Sequence, residues 1–186
     1  MGKLNTLILC ILLLFSKTGF SQLNEEGQIN ILFSIPEITL VDIESVSDNN
    51  INFNIVLSNE SGESPQITET SGETLWINYS SAISPNISSR SIVAEISNGE
   101  LPEGLSLFVQ ASPYSGIGKG RLGEPAGRIN LTNVPKPVIT NIGNCFTGDG
   151  VNNGHMLTYT MEVSDYTLLH SVDNVFCTVL YTITDN

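Results

Sequence analysis

Apolar and polar residues alternate with a period of two along most of this chain. Ile29, Ile31, Phe33 and Ile35 alternate with Asn30, Leu32 and Ser34, and Ile38 and Leu40 follow after Pro36. Ile51, Phe53, Ile55 and Leu57 repeat the pattern, as do Leu75, Ile77 and Tyr79 around Trp76 and Asn78. Ile92, Ala94 and Ile96 form another run, and so do Leu105, Leu107, Val109 and Ala111. Towards the end come Leu157, Tyr159, Met161 and Val163, then Val175, Cys177, Val179, Tyr181 and Ile183. A period of two places one set of side chains on each face of a pleated strand. One apolar and one polar face is the pattern of antiparallel sheets. Turn-forming clusters at 47–50, 58–72, 98–104, 112–127 and 148–154 separate the runs. No amphipathic helical period of useful length occurs. Short strands at this spacing predict an all-β, antiparallel β-sandwich of Ig-like type with about nine strands. Pro135 and Pro137 mark residues 134–137 as an edge or linker before a strand at 138–142.

The amino terminus departs from this pattern. Lys3 precedes an unbroken apolar run at 7–15, followed by a more polar stretch with Gly19 and Ser21 at small-residue positions. These are the parts of a secretory signal peptide. Nine apolar residues are too few for a membrane span, which takes about 20. The expected organisation is a signal peptide at 1–21 and a single β-sandwich domain at 22–186, without a membrane span in the mature chain. The expected location is secreted, periplasmic or cell-surface.

Removing residues 1–21 takes away two basic residues, Lys3 and Lys17, and no acid, so the net charge moves from −12 to −14. Nucleic-acid binding needs clustered cations, and nucleic acid is therefore excluded as an expected partner. The charge is uneven. No basic residue occurs between Gln22 and Ser89, whereas Lys119, Arg121, Arg128 and Lys136 lie close together in sequence. One reading is solvated loop charge. The other is a basic interaction patch on an otherwise acidic molecule, able to steer head-to-tail association.

Candidate chemistry is sparse. Cys145 and Cys177 remain once Cys10 is removed, and an oxidising compartment makes them a candidate disulfide; two separate buried thiols are the alternative. The loop from Gly148 to Gly154 offers Asp and Asn oxygens but lacks the carboxylates of a full calcium loop. His155 and His170 are the only histidines. Without a third ligand in view they read as surface residues rather than a zinc site. No Gly-x-Ser-x-Gly elbow is present. The stretch 115–120 combines Gly with Lys119 but not at P-loop spacing, and reads as a mobile loop. Trp76, the single Trp, is expected to pack between the sheets; with Tyr114 it is also the aromatic candidate for a sugar platform. No catalytic site, cofactor or metal site is expected.

Several segments together carry a resemblance. They are Ile35-Pro36-Glu37-Ile38-Thr39-Leu40-Val41-Asp42-Ile43-Glu44, Leu75-Trp76-Ile77-Asn78-Tyr79-Ser80 and Ser89-Arg90-Ser91-Ile92. Phe146-Thr147-Gly148-Asp149-Gly150, Asn153-Gly154-His155 and Tyr181-Thr182-Ile183-Thr184-Asp185 complete the set. In these the chain resembles small exported β-sandwich proteins of Bacteroidota, of pilin-like or spore-coat-like type. The resemblance implies a pilin-like sandwich and a surface, fimbrial or adhesive role. It implies no active site. One departure is that lipid-anchored fimbrial subunits carry a lipoprotein cysteine, whereas Cys10 sits inside the apolar run.

The expected function is therefore structural or adhesive, envelope-associated and not enzymatic. Self-association or contact with other envelope proteins is expected through edge strands, with residues 29–35 the candidate for a donated strand. The alternative is a carbohydrate-binding module with a glycan partner.

Overall fold

The computed structural model describes residues 28–56, 60–70 and 72–186. The expected signal peptide lies outside the described residues. The chain divides into two units, Met1–Ser34 and Ile35–Asn186. In the first, described from Gln28 onward, no residue is in a strand. The alternation at 29–35 had predicted one. Ile29, Ile31 and Phe33 are instead 87%, 81% and 78% exposed. Alternation assigns side chains to two faces, but it cannot supply the neighbouring backbone that makes a strand.

Among the described residues the second unit contains eleven strands. In chain order they are β1 (Ile38–Glu44), β2 (Phe53–Val56), β3 (Gln66–Glu69), β4 (Leu75–Ala82), β5 (Arg90–Gly99) and β6 (Leu105–Ala111). β7 (Lys119–Pro125), β8 (Arg128–Asn130), β9 (Lys136–Phe146), β10 (His155–Val163) and β11 (Cys177–Asp185) follow. All pairings are antiparallel. Nine strands form one sheet, and β2 and β3 form a separate hairpin.

The large sheet consists of two arms. One runs β7-β9-β5-β11, the other β1-β4-β10-β6-β8. They join where the end of β4 pairs with the end of β9, at Ser80↔Phe146 and Ser81↔Cys145. Both arms feed one hydrophobic core. Leu75, Ile77 and Tyr79 enter it from β4, Leu107, Val109 and Ala111 from β6, and Leu157 from β10. Ile92 and Ala94 of β5 and Val138, Ile139 and Ile142 of β9 enter from the other arm. The shared core makes the fold a β-sandwich, all-β and antiparallel as the alternation predicts. It is not a closed one, because β1 and β11 end the two arms without pairing to each other.

Two strands lie inside predicted turn clusters: β3 and β7. β7 is the instructive case. Its sequence Lys-Gly-Arg-Leu-Gly-Glu-Pro reads as a loop, yet it pairs with β9 from Lys119↔Phe146 to Pro125↔Ile139. Gly120 sits where the register shifts, and a Cβ there would collide with the Asn144 carbonyl. It therefore marks a bulge and a close backbone approach rather than the end of a strand. Pro137 lies just beyond the reach of β7, on a part of β9 paired through β5.

Candidate functional site

The open side of the sandwich is the seam between β1 and β11. Val41 and Ile43 of β1 line it, with Asn49 from the following loop and Val179, Leu180 and Tyr181 of β11. Inside the arms the Tyr159 and Tyr181 hydroxyls are hydrogen-bonded at 2.6 Å. Burial pushes the Tyr159 phenol up to about 12 and raises that of Tyr181 too, so this bond stays between two neutral phenols.

Arg90 closes one end of the seam. It is 2% exposed, although it carries a full charge. Its Nε donates to Asp185 Oδ1 at 2.6 Å and its Nη2 to Glu37 Oε1. Its Nη1 donates to the Ile38 carbonyl at 2.6 Å and to Ser81 Oγ at 3.3 Å. One guanidinium thus fastens the residue before β1, the first residue of β1 and the last residue of β11. A buried charge is tolerable only with such partners. Both carboxylates are about half exposed, at 46% for Glu37 and 54% for Asp185. Sequence reasoning missed this role. The usable signal was parity: Arg90 shares the inward register of Ile92 and Ala94.

A second polar cluster lies in the core. His155 is fully buried, which corrects its expected surface position. It begins β10 opposite Ile77 and carries the inward register of Leu157. Its ring stacks on Tyr79 at 5.9 Å and meets Tyr114 edge-on. His155 Nδ1 lies 2.8 Å from the Ser112 carbonyl and Nε2 lies 2.9 Å from the Tyr79 hydroxyl. The same hydroxyl contacts the Leu122 carbonyl.

A carbonyl only accepts, so Ser112 assigns a proton to Nδ1. The Tyr79 hydroxyl then has one proton for two acceptors, the Leu122 carbonyl and the unprotonated Nε2. Three contacts share two protons. An imidazolium would supply the third, but burial lowers the His155 pKa, opposed in part by the backbone hydrogen bond to Ser112. Tyr114 is tied down as well: its hydroxyl donates to the Thr147 carbonyl at 2.9 Å and accepts from Gly118 N–H.

The remaining sequence candidates are dispersed. Cys145 and Cys177 are free thiols, which corrects the expected disulfide. Cys177 faces Gly99 at one end of β5, and Cys145 lies three residues past Ile142, the partner of Arg90 at the other end. At about 3.3 Å per residue a strand of this length holds them roughly 30 Å apart, whereas a disulfide needs Cα atoms within about 7 Å.

The four basic residues do not form one patch either. Lys136 begins β9 opposite Ala94, whereas Lys119 begins β7 opposite Phe146, the last residue of β9. Arg121 reaches the Ser88 carbonyl, and Lys136 Nζ donates to the Asn130 carbonyl at 2.7 Å. Arg128 lies 3.5 Å over the Phe108 ring and bonds Glu162 at 2.6 Å.

Trp76 is half-buried with the opposite parity from Leu75 and Ile77, so it faces outward rather than into the core. Its register neighbours are Glu44 and Met156. The loop at 148–154 is folded on itself: Asn153 Nδ2 donates to the Asp149 carbonyl at 2.7 Å, and its Oδ1 accepts from Ile117 N–H. Those contacts also pin the stretch at 115–118 that reads as a mobile loop. Among the described residues, no three His, Cys, Asp or Glu side chains converge as metal ligands would. His170 is exposed.

Comparison with known proteins adds no relative: no family model, no curated protein and no solved structure matches the chain.

Proposed function

We propose that this protein is an exported structural or adhesive component that joins other copies, or envelope partners, through its sheet edges. The observation that carries this reading is the exposed alternating stretch at the start of the described chain. Ile29, Ile31, Phe33 and Ile35 are each at least 78% exposed. Burying such side chains contributes about 1.5–3 kcal/mol each, so four supply roughly 6–12 kcal/mol. Association costs an estimated 4–15 kcal/mol, so the stretch is large enough to matter and gains nothing while exposed. The unclosed edges of β1 and β11 offer unpaired backbone to which a strand can add.

Size-exclusion chromatography across a concentration series, at low and high salt, with electron microscopy of the same samples, tests this. Concentration-dependent oligomers or fibres are expected. Ile31→Ser/Phe33→Ser should abolish them without altering the fold. A strict monomer in every condition refutes the reading.

A second reading, glycan binding, is favoured by one observation: Trp76 faces outward on a sheet whose outer face also carries Gln110 and Thr158. Tyr114 does not support it, because its hydroxyl is committed inside the fold.

A further inference from the structure

β1 is a lightly secured edge strand of the large sheet. It is terminal in the folded unit and pairs on one side only, with β4, from Ile38↔Ala82 to Glu44↔Trp76. None of its residues is buried, and only Val41, Ile43 and Glu44 are half-buried. The chain on either side has no ladder: Pro36 precedes it, and an irregular stretch to residue 52 follows. β4 is the contrast, with five of its eight residues buried.

Polar contacts hold the two ends of β1. At the far end Asn49 Nδ2 donates to the Ile43 carbonyl at 3.1 Å. At the near end the fastening is Arg90, through Glu37 and the Ile38 carbonyl.

We propose that β1 is a detachable strand and that the Arg90–Glu37 ion pair is its lock: when the lock opens, β1 leaves its own β4 and takes the same place on the β4 of a second copy. This inference rests on the assembly reading above and names its moving part. The fit of the partner is already on display, because the vacated site is the site β1 occupies within its own chain. A second copy offers the same seven residues in the same register. Exchange of a terminal element across an irregular linker is an inexpensive route to association, since both states make the same contacts.

The lock is asymmetric. When β1 leaves, Arg90 keeps Asp185 and Ser81 and loses Glu37 and the Ile38 carbonyl. The guanidinium stays partnered, so β1 can open without unfolding the sandwich. In the exchanged state the second copy's own Glu37 restores the lost pair.

Glu37→Gln removes one charge from a charge-assisted bond and leaves the strand sequence intact. Hydrogen exchange of the full chain should then be about tenfold faster at the β1 amides, the change that about 1.4 kcal/mol produces. The β5 and β10 amides should be unchanged. A uniform acceleration across the sheet, or none, overturns the lock.

The exchange itself is tested by pinning the strand. Leu40→Cys/Ser80→Cys, facing positions of β1 and β4, are placed in a Cys145→Ser/Cys177→Ser background and oxidised within the monomer. A pinned protein that no longer assembles, and assembles again on reduction, supports exchange. Assembly that survives the pin overturns this inference and leaves the edge-strand reading standing. Selective opening of β1 in a protein that never assembles overturns that reading and the exchange, but not the lock.

Discussion

The core cluster around His155 makes a prediction with a sign. The folded chain holds this imidazole neutral, because burial lowers its pKa below the ordinary 6.5. The unfolded chain takes up the proton at the ordinary value. Stability from this residue is therefore fully present above about pH 6.5 and is lost as pH falls below it towards the folded-state pKa. By pH 5 the loss is bounded at about 2 kcal/mol, the one and a half units between 6.5 and 5 at 1.36 kcal/mol per unit.

Two variants isolate the effect. His155→Gln removes the titration while leaving the exposed His170 and all carboxylates in place. Tyr79→Phe removes the hydroxyl that reaches both Nε2 and the Leu122 carbonyl. Since the neutral pair has only two protons for three contacts, that hydroxyl makes one full hydrogen bond. Its loss should cost about 1–3 kcal/mol, the penalty for one unsatisfied buried group, rather than twice that. The assay is urea unfolding of wild type, His155→Gln and Tyr79→Phe at pH 7.5, 6 and 5 and constant ionic strength. The advantage of wild type over His155→Gln should narrow on acidification. If it widens, the imidazolium is favoured in the fold, and the assignment of a neutral His155 is wrong.

The other predictions concern side chains that the fold moves away from their expected roles. Cys145 and Cys177 should both be alkylated in the unfolded, unreduced chain; a loss of two hydrogens reversed by reductant within a monomer would contradict the strand order. In the native state Cys145 should react slowly at neutral pH, because burial pushes its thiol up to about 11 against the opposing pull of Arg121. Trp76→Ala should cost about 1–2 kcal/mol rather than the 3–5 of a core aromatic, since the ring is half-buried on the outer face. Glycan-array binding by wild type that disappears in Trp76→Ala, with the fold intact, would favour glycan binding over assembly; an array with no binding by wild type counts against it.

The period-two signal was legible wherever a strand had a neighbour on the core side. Leu75, Ile77 and Tyr79 enter the core as their alternation requires, as do Leu107, Val109 and Ala111. The stretch at 29–35 shows the limit, because the same alternation occurs there without a ladder. Composition misled in the opposite direction at β7, where glycines fit a bulged strand against β9 and look like a loop. The cysteines were misread for a third reason. Their sequence separation gave a plausible loop, but the order β11-β5-β9 places them at opposite ends of the strand between. Pairing order is set by the whole fold, and no local window contains it.

Arg90 and His155 were hidden by a habit that the strand period itself corrects. Arg90 has the parity of Ile92 and Ala94, Tyr79 that of Leu75 and Ile77, and His155 that of Leu157. Tyr159 and Tyr181 likewise stand in the inward register of their strands. A polar or charged side chain in the apolar register of a strand must be buried if its neighbours are, and a buried polar group must find partners. Parity alone therefore flags five residues as members of internal polar networks. The structure sorts them into three groups: the Arg90 clamp, the Tyr79–His155 pair and the Tyr159–Tyr181 bond. Only the clamp reaches half-exposed partners, Glu37 and Asp185, at the two ends of the folded unit. The Tyr79–His155 pair is enclosed and the Tyr159–Tyr181 bond is part-buried between uncharged groups, and both bear on stability. The clamp is the one network that a change at the surface can open, and this singles it out as the control point for a strand that associates.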